Sequence, residues 1–161
     1  MFRHRPALVA LLQDVVGGGA SVGFVPPLGA DEAAAYWDGV TAALKGGGRR
    51  LWIARAADGG MVGTVQLDLA GQANGRHRAE VIRLMVLGSA RRQGIGRLLM
   101  EAAEADARRL GRTTLVLDTR QGDPSEALYR GMGWESAGTI PRYARSADGT
   151  LHTTAFYYKL Q

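Results

Sequence analysis

The run Arg91-Arg92-Gln93-Gly94-Ile95-Gly96-Arg97 constrains this chain more than any other segment. It joins an apolar, strand-like stretch at residues 81–87 to a helix-like stretch at 94–110. Three arginines and two glycines therefore sit where a strand hands over to a helix. A helix start leaves backbone N–H groups without partners and carries partial positive charge, which suits an anion. Glycine lets a bulky anion approach the main chain closely. The segment predicts a phosphate cradle, with a bare turn carrying exposed arginines as the structural alternative. A dinucleotide fingerprint would need a third glycine where Leu99 stands, and a P-loop would need Gly-Lys-Ser/Thr; neither is present.

The flanking pattern supplies a fold class. Residues 7–16 place Leu8, Leu11, Leu12 and Val15 on one helical face. A Gly/Pro-rich loop at 17–27 leads to a second helix at 31–44, with Asp31 as its N-cap and Gly46-Gly47-Gly48 as its end. Strands follow at 51–56 and 61–69, joined by the turn Asp58-Gly59-Gly60. A polar loop at 70–78 precedes a strand at 80–87, whose near-continuous apolar run marks it as central. In the next helix Ile95, Leu98, Leu99, Ala102 and Ala103 form the apolar stripe, and Gly111 closes it. A strand at 114–117, a short helix at 125–132 after Pro124, and a closing strand at 151–160 after Asp148-Gly149 complete the order α-α-β-β-β-α-β-α-β. No repeat or linker interrupts it, so residues 1–161 read as a single mixed α/β domain.

Composition narrows the partners. There are no cysteines, which excludes disulfides and thiol nucleophiles and fits a cytoplasmic protein. Basic residues precede the apolar segment 7–12, as in a signal peptide, but Gln13 and Asp14 end that segment early. No stretch is long and apolar enough for a membrane span. The formal charge is +5, carried almost wholly by arginine, since Lys45 and Lys159 are the two lysines. The arginines are dispersed rather than striped, which argues for an anionic ligand over nucleic acid. His4, His77 and His152 lack metal-ligand spacing, so no metal is expected.

Two motifs in order carry a family resemblance. Glu80-Val81-Ile82-Arg83-Leu84-Met85-Val86 leads into Arg91-x-x-Gly94-x-Gly96, and Ala127-Leu128-Tyr129-Arg130-Gly131-Met132-Gly133-Trp134 follows. Together they resemble the GNAT superfamily of acetyl-CoA-dependent acyltransferases. Gly19-Ala20-Ser21-Val22-Gly23-Phe24, Asn74-Gly75-Arg76-His77-Arg78-Ala79-Glu80-Val81, Leu117-Asp118-Thr119 and Gly149-Thr150-Leu151-His152 are similar to the tabtoxin-resistance-type branch, which acetylates an amine on a small amino-acid-derived toxin. The resemblance implies a mixed, mostly antiparallel sheet with splayed central strands flanked by helices. Its usual first strand is short or missing here, because only residues 1–6 precede the first helix.

The resemblance also assigns roles. Leu84, Met85 and Val86 would bond the pantetheine arm as a pseudo-strand. Arg91, Arg92, Gln93, Gly94, Ile95, Gly96 and Arg97 would hold the pyrophosphate, and Ser125 would lie in the same acetyl-CoA site. Tyr129 occupies the place of the general acid; a tyrosine stays protonated at neutral pH and can donate to sulfur. Packing between helix and sheet is the alternative for it. Glu80 and Asp118 are candidates for deprotonating the amine through water. A strand-end salt bridge from Glu80 to Arg78 or Arg83, and loop-amide bonding by Asp118, are their structural alternatives. Ser21, Phe24 and Trp37 are candidates for the acceptor wall, with helix packing as the alternative for Trp37. The implied protein transfers acetyl from acetyl-CoA to a small-molecule primary amine, with a homodimer common among similar proteins. Peptide N-acetylation and a non-catalytic CoA sensor are the rival readings. A pocket closed by residues 19–27 would favour the small molecule.

Overall fold

The computed structural model describes residues 4–161. Ten elements follow one another: α1 (Arg5–Gly17), α2 (Ala30–Lys45), β1 (Arg49–Arg55), β2 (Met61–Leu69), β3 (Arg78–Val86), α3 (Ile95–Arg109), β4 (Thr114–Arg120), α4 (Ser125–Gly131), β5 (Glu135–Arg145) and β6 (Leu151–Leu160). The strands form one sheet in the order β1-β2-β3-β4-β6-β5. Each neighbouring pair is antiparallel except β3 with β4. The sheet is thus mixed and mostly antiparallel, as the motifs imply. No strand precedes α1 among the described residues, so β1 forms that edge.

Each face of the sheet has its own apolar cluster. On one face Leu99, Met100, Ala103 and Ala107 of α3 pack with Val65, Leu67, Val81, Leu115, Leu117, Tyr129 and Trp134. On the other, Leu8, Leu11, Leu12, Val15 and Val16 of α1 meet Ala33, Trp37 and Val40 of α2 and Met85 of β3. The helical spacing of these residues is what makes each helix one-sided. Pro6 lies in the first turn of α1, where a missing N–H costs nothing. Asp31 and Glu32 in the first turn of α2, and Lys45 in its last, oppose the helix dipole.

Three sequence expectations change. A strand, β5, lies between α4 and the closing strand, where none is expected. Nearly all its residues are exposed, and Gly138 and Pro141 interrupt it, so it carries no burial pattern of its own. It exists because β6 offers an edge to pair with. Asp31 is not the cap of α2; Gly29 is, in an extended conformation, and Asp31 is the second helical residue, within the first turn. Leu98 leaves the apolar stripe of α3 and is 65% exposed, while Met100 and Ala107 join it.

Candidate active site

The sheet opens at its centre. β3 and β4 pair through only three positions, Arg78 with Thr114, Ala79 with Leu115 and Glu80 with Val116. Beyond Glu80 the strands diverge, leaving the β4-facing edge of β3 without a strand partner. β3 carries a bulge just beyond this point. Thr64 pairs with Met85 but Gln66 pairs with Ile82, so Val65 faces two residues, Arg83 and Leu84. Arg83 sits at φ 53°, the left-handed conformation such an insertion demands.

The strand-to-helix loop lies at the wide end of this opening. Gly94 caps α3 at φ 79°, a conformation that strains residues bearing a Cβ, and a Cβ there would meet no other atom. No side chain caps the helix, and its first turn holds no acidic residue. Arg91, Arg92 and Arg97 are all exposed around that uncapped end. Gly96 has a second role, since a Cβ on it would reach Leu128 of α4 at 3.4 Å. The loop is held from the α1 side: Asp14 Oδ2 accepts the Gly88 N–H at 2.9 Å. Arg91 Nε donates weakly to the Val86 carbonyl at 3.4 Å. An uncapped, cation-ringed helix start beside an open strand edge fits a long, phosphate-bearing ligand.

At the narrow end stand the titratable groups. Glu80 is half-buried and Asp118 remains open to solvent, yet desolvation by the cleft walls raises both carboxyl pKa values. Asp118 raises Glu80 further, and Arg83 opposes the rise in each. Among the described residues neither carboxylate forms a hydrogen bond or ion pair with another side chain, so the salt bridge from Glu80 to Arg78 or Arg83 does not form. Tyr129 is 6% exposed, and burial followed by the charges of Asp118 and Asp123 pushes its phenol well above the usual range. Its hydroxyl has no hydrogen-bond partner among the described residues. A buried, protonated and unengaged phenol is placed to donate rather than to ionise.

The acceptor-side residues divide. Ser21 is exposed and Phe24 half-buried in the α1–α2 loop. With Gly18, Gly19, Ala20, Pro26, Arg120, Arg145, Ser146 and His152 they line a cavity of about 390 Å³. Arg120 closes its side by donating to Asp123, to Ser146 Oγ and to the Gly19 carbonyl. Trp37 is a correction: it is 1% exposed and its Nε1 donates to the Leu8 carbonyl at 2.9 Å, which ties α2 to α1 rather than facing a cleft. Its neighbour Tyr36 takes the outward place, edge-on to Phe24 at 5.3 Å. Gln66 Nε2 donates to the Tyr36 hydroxyl at 2.8 Å. Adjacent helical residues point about 100° apart, so one aromatic of the pair had to leave the core. Ser125 shares a hydrogen bond with Thr119 Oγ1 at 2.8 Å, linking the start of α4 to β4. Arg83 and Tyr36 are the residues that sequence reasoning did not assign to the site. The signal for Arg83 was a single charge inside an apolar central strand.

Comparisons with known proteins bear on the family and the fold. The family model described as Acetyltransferase (GNAT) family matches residues 7–134. Among solved structures, ribosomal-protein-alanine N-acetyltransferase from Brucella melitensis superposes with TM-score 0.86 at 23% identity, covering 100% of this chain and 96% of that one. A GCN5-related N-acetyltransferase from Kribbella flavida gives 0.84 at 21%, covering 100% and 94%. A phosphinothricin acetyltransferase from Sinorhizobium meliloti, solved in complex with AcCoA, gives 0.84 at 20%, covering 99% and 84%. These identities speak to the fold, while the family match spans most of the sequence, including the phosphate loop and Tyr129. The chain belongs to the acetyltransferase (GNAT) family and is an acetyl-CoA-dependent acetyltransferase.

Proposed function

We propose that the protein transfers acetyl from acetyl-CoA directly to a primary amine of a small molecule, and that the acceptor is an amino-acid-like compound such as the toxins modified by the tabtoxin-resistance-type branch. The observation that carries this reading is the set of unengaged groups at the split: Glu80, Asp118 and the Tyr129 hydroxyl, all without side-chain partners among the described residues. Residues of the 18–26 loop wall a cavity together with Arg120, which lies two residues past Asp118 on β4, and this favours a compact acceptor over a peptide.

Arg91, Arg92, Arg97 and the N–H groups at the start of α3 would hold the pyrophosphate. The open edge at Leu84, Met85 and Val86 would take the pantetheine amides. Acetyl-CoA, when bound, supplies the acyl group as a thioester. An alkyl amine is mostly protonated at neutral pH and must lose a proton before it attacks. Glu80, with its raised pKa and Asp118 beside it, accepts that proton directly or through water. Two carboxylates at one cleft also draw a cationic acceptor inward. The N–C bond forms as the C–S bond breaks, and the Tyr129 O–H donates its proton to the departing sulfur. No covalent enzyme intermediate is needed.

The test is free-thiol release from acetyl-CoA across a panel of small amines, amino acids and N-terminal peptides. Release with a small amine and not with peptides is the expected result; release with peptides alone would overturn the acceptor class. Acetyl-CoA should also raise Tm, and Arg91→Ala combined with Gly94→Glu should abolish that rise.

A further inference from the structure

Arg83 takes no part in the chemistry above, yet it stands in the β3 bulge, beyond the last residue that pairs with β4. Its guanidinium lies in the corner made by the perpendicular rings of Phe24 and Tyr36, 5.9 and 5.8 Å from their centroids. It also packs against the α1–α2 loop at Gly23, where a Cβ would lie 2.9 Å from the guanidinium carbon. Its Nε is buried without an acceptor, and no hydrogen bond or ion pair joins the side chain to any described residue. Glu80 and Asp118 are near enough to feel its charge but do not engage it. Aromatic walls fix the direction of the fork, and buried donors without acceptors are costly unless something fills them. A guanidinium is built to receive a planar anion through parallel N–H bonds.

We infer that Arg83 binds the carboxylate of a zwitterionic acceptor, whose ammonium lies toward Glu80 and Asp118, so that the acceptor is an α-amino acid or a close analogue. This rests on the proposed acetylation of a small amine and specifies its class. The guanidinium lies within charge range of both carboxylates, with Glu80 three residues before it on β3, so a short molecule carrying both charges matches them.

The experiment compares L-amino acids with their primary α-amides as acceptors, by thiol release from acetyl-CoA. The amide keeps the amine and loses the carboxylate. Its amine is also the more easily deprotonated, so intrinsic reactivity does not favour the acid. In the wild type, kcat/KM for the acid should exceed that for the amide by about 100-fold. Arg83→Gln should bring the ratio to about 1, and Arg83→Lys, which keeps charge but loses the fork, should leave an intermediate ratio. Gly23→Ala, which crowds the guanidinium without removing it, should lower the ratio in the same direction. A rise in Tm on adding acetyl-CoA verifies that each variant is folded. A wild-type ratio near 1, or a ratio unchanged in the folded variants, would overturn the carboxylate assignment alone. Thiol release with no small amine would overturn the small-amine reading and this inference with it.

Discussion

Glu126 and the pair Glu80–Asp118 are carboxylates in one small fold under opposite conditions. Glu126 is buried and fully engaged: Oε1 accepts the Gly122 N–H at 2.6 Å, and Oε2 accepts from Tyr157 and from Arg130. The Tyr157 bond, the Gly122 bond and then the Arg130 charge pull its pKa down against burial. Glu80 and Asp118 have no such partners, and burial raises theirs. The two tyrosines in ring contact at 6.1 Å divide the same way. Tyr157 spends its hydroxyl on Glu126, whereas Tyr129 keeps its own free. Satisfied polar groups hold α4 against the sheet; unsatisfied ones wait at the split. The difference separates residues that serve the fold from those proposed above to serve the reaction.

The largest effect expected from that contrast is on turnover. Glu80→Gln should lower kcat by about 10²–10⁴-fold, the usual range for a lost general base, while Tm stays level or rises. Steady-state kinetics with calorimetry on the same preparation checks both halves. A large fall in Tm would place Glu80 with Glu126 among the structural carboxylates. Tyr129→Phe should likewise cut kcat more than acetyl-CoA affinity and leave Tm nearly unchanged, because no hydrogen bond is broken. Tyr157→Phe should do the reverse, lowering Tm and sparing kcat.

Next in size is the loss of a satisfied carboxylate. Glu126→Gln replaces an acceptor of three donors with an amide that can accept at one oxygen only. Stability should fall by about 2 kcal/mol, or roughly 4–8 °C in Tm for a chain of this size. The linked pH effect has a definite sign. A depressed folded pKa gives stability that is present above the ordinary carboxylate value and lost as pH falls through the depressed one. The wild type should therefore lose more stability on acidification than Glu126→Gln does. Equal acid sensitivity would mean that Glu126 is not held charged by its partners.

How much of this was legible in sequence depends on what recorded it. The bounds of β2 and β6 were readable because alternation and the Asp-Gly turns belong to the strands themselves. The strand-to-helix turn at the start of α3 was readable because Gly94 and the arginines mark it in the sequence itself. β5 was not, since its pairing energy comes from β6. Arg83 was hidden for a geometric reason. Strict alternation would set it on the same face as Val81, under α3. Two residues rather than one separate Val81 and Leu84, which both join the α3 cluster. The bulge thereby turns Arg83 to the face of Tyr36 and Phe24. A bulge leaves no mark in composition, so the face of every residue beyond it had to come from coordinates. Trp37 failed similarly, because helical phase within the pair Tyr36-Trp37 decides which ring is core.

The smallest effect tests the coupling inside the cleft. Asp118 is one cause of the raised pKa of Glu80, after desolvation. Asp118→Asn should therefore lower the Glu80 pKa, and the acid limb of the kcat/KM profile should move to lower pH. Arg83 acts in the opposite direction on both carboxylates, so Arg83→Gln should move that limb to higher pH. The stability sign is opposite to that of Glu126. A carboxylate with a raised folded pKa contributes stability that is present below its unfolded pKa and lost as pH rises through the folded one. At neutral pH Asp118 thus costs stability, and Asp118→Asn should raise Tm by roughly 1–2 °C. That gain should vanish once the pH falls below the ordinary carboxylate range, where the wild-type group is protonated too. A Tm gain that persists in acid would trace to packing rather than charge, and an unmoved acid limb would mean that Glu80 and Asp118 titrate independently.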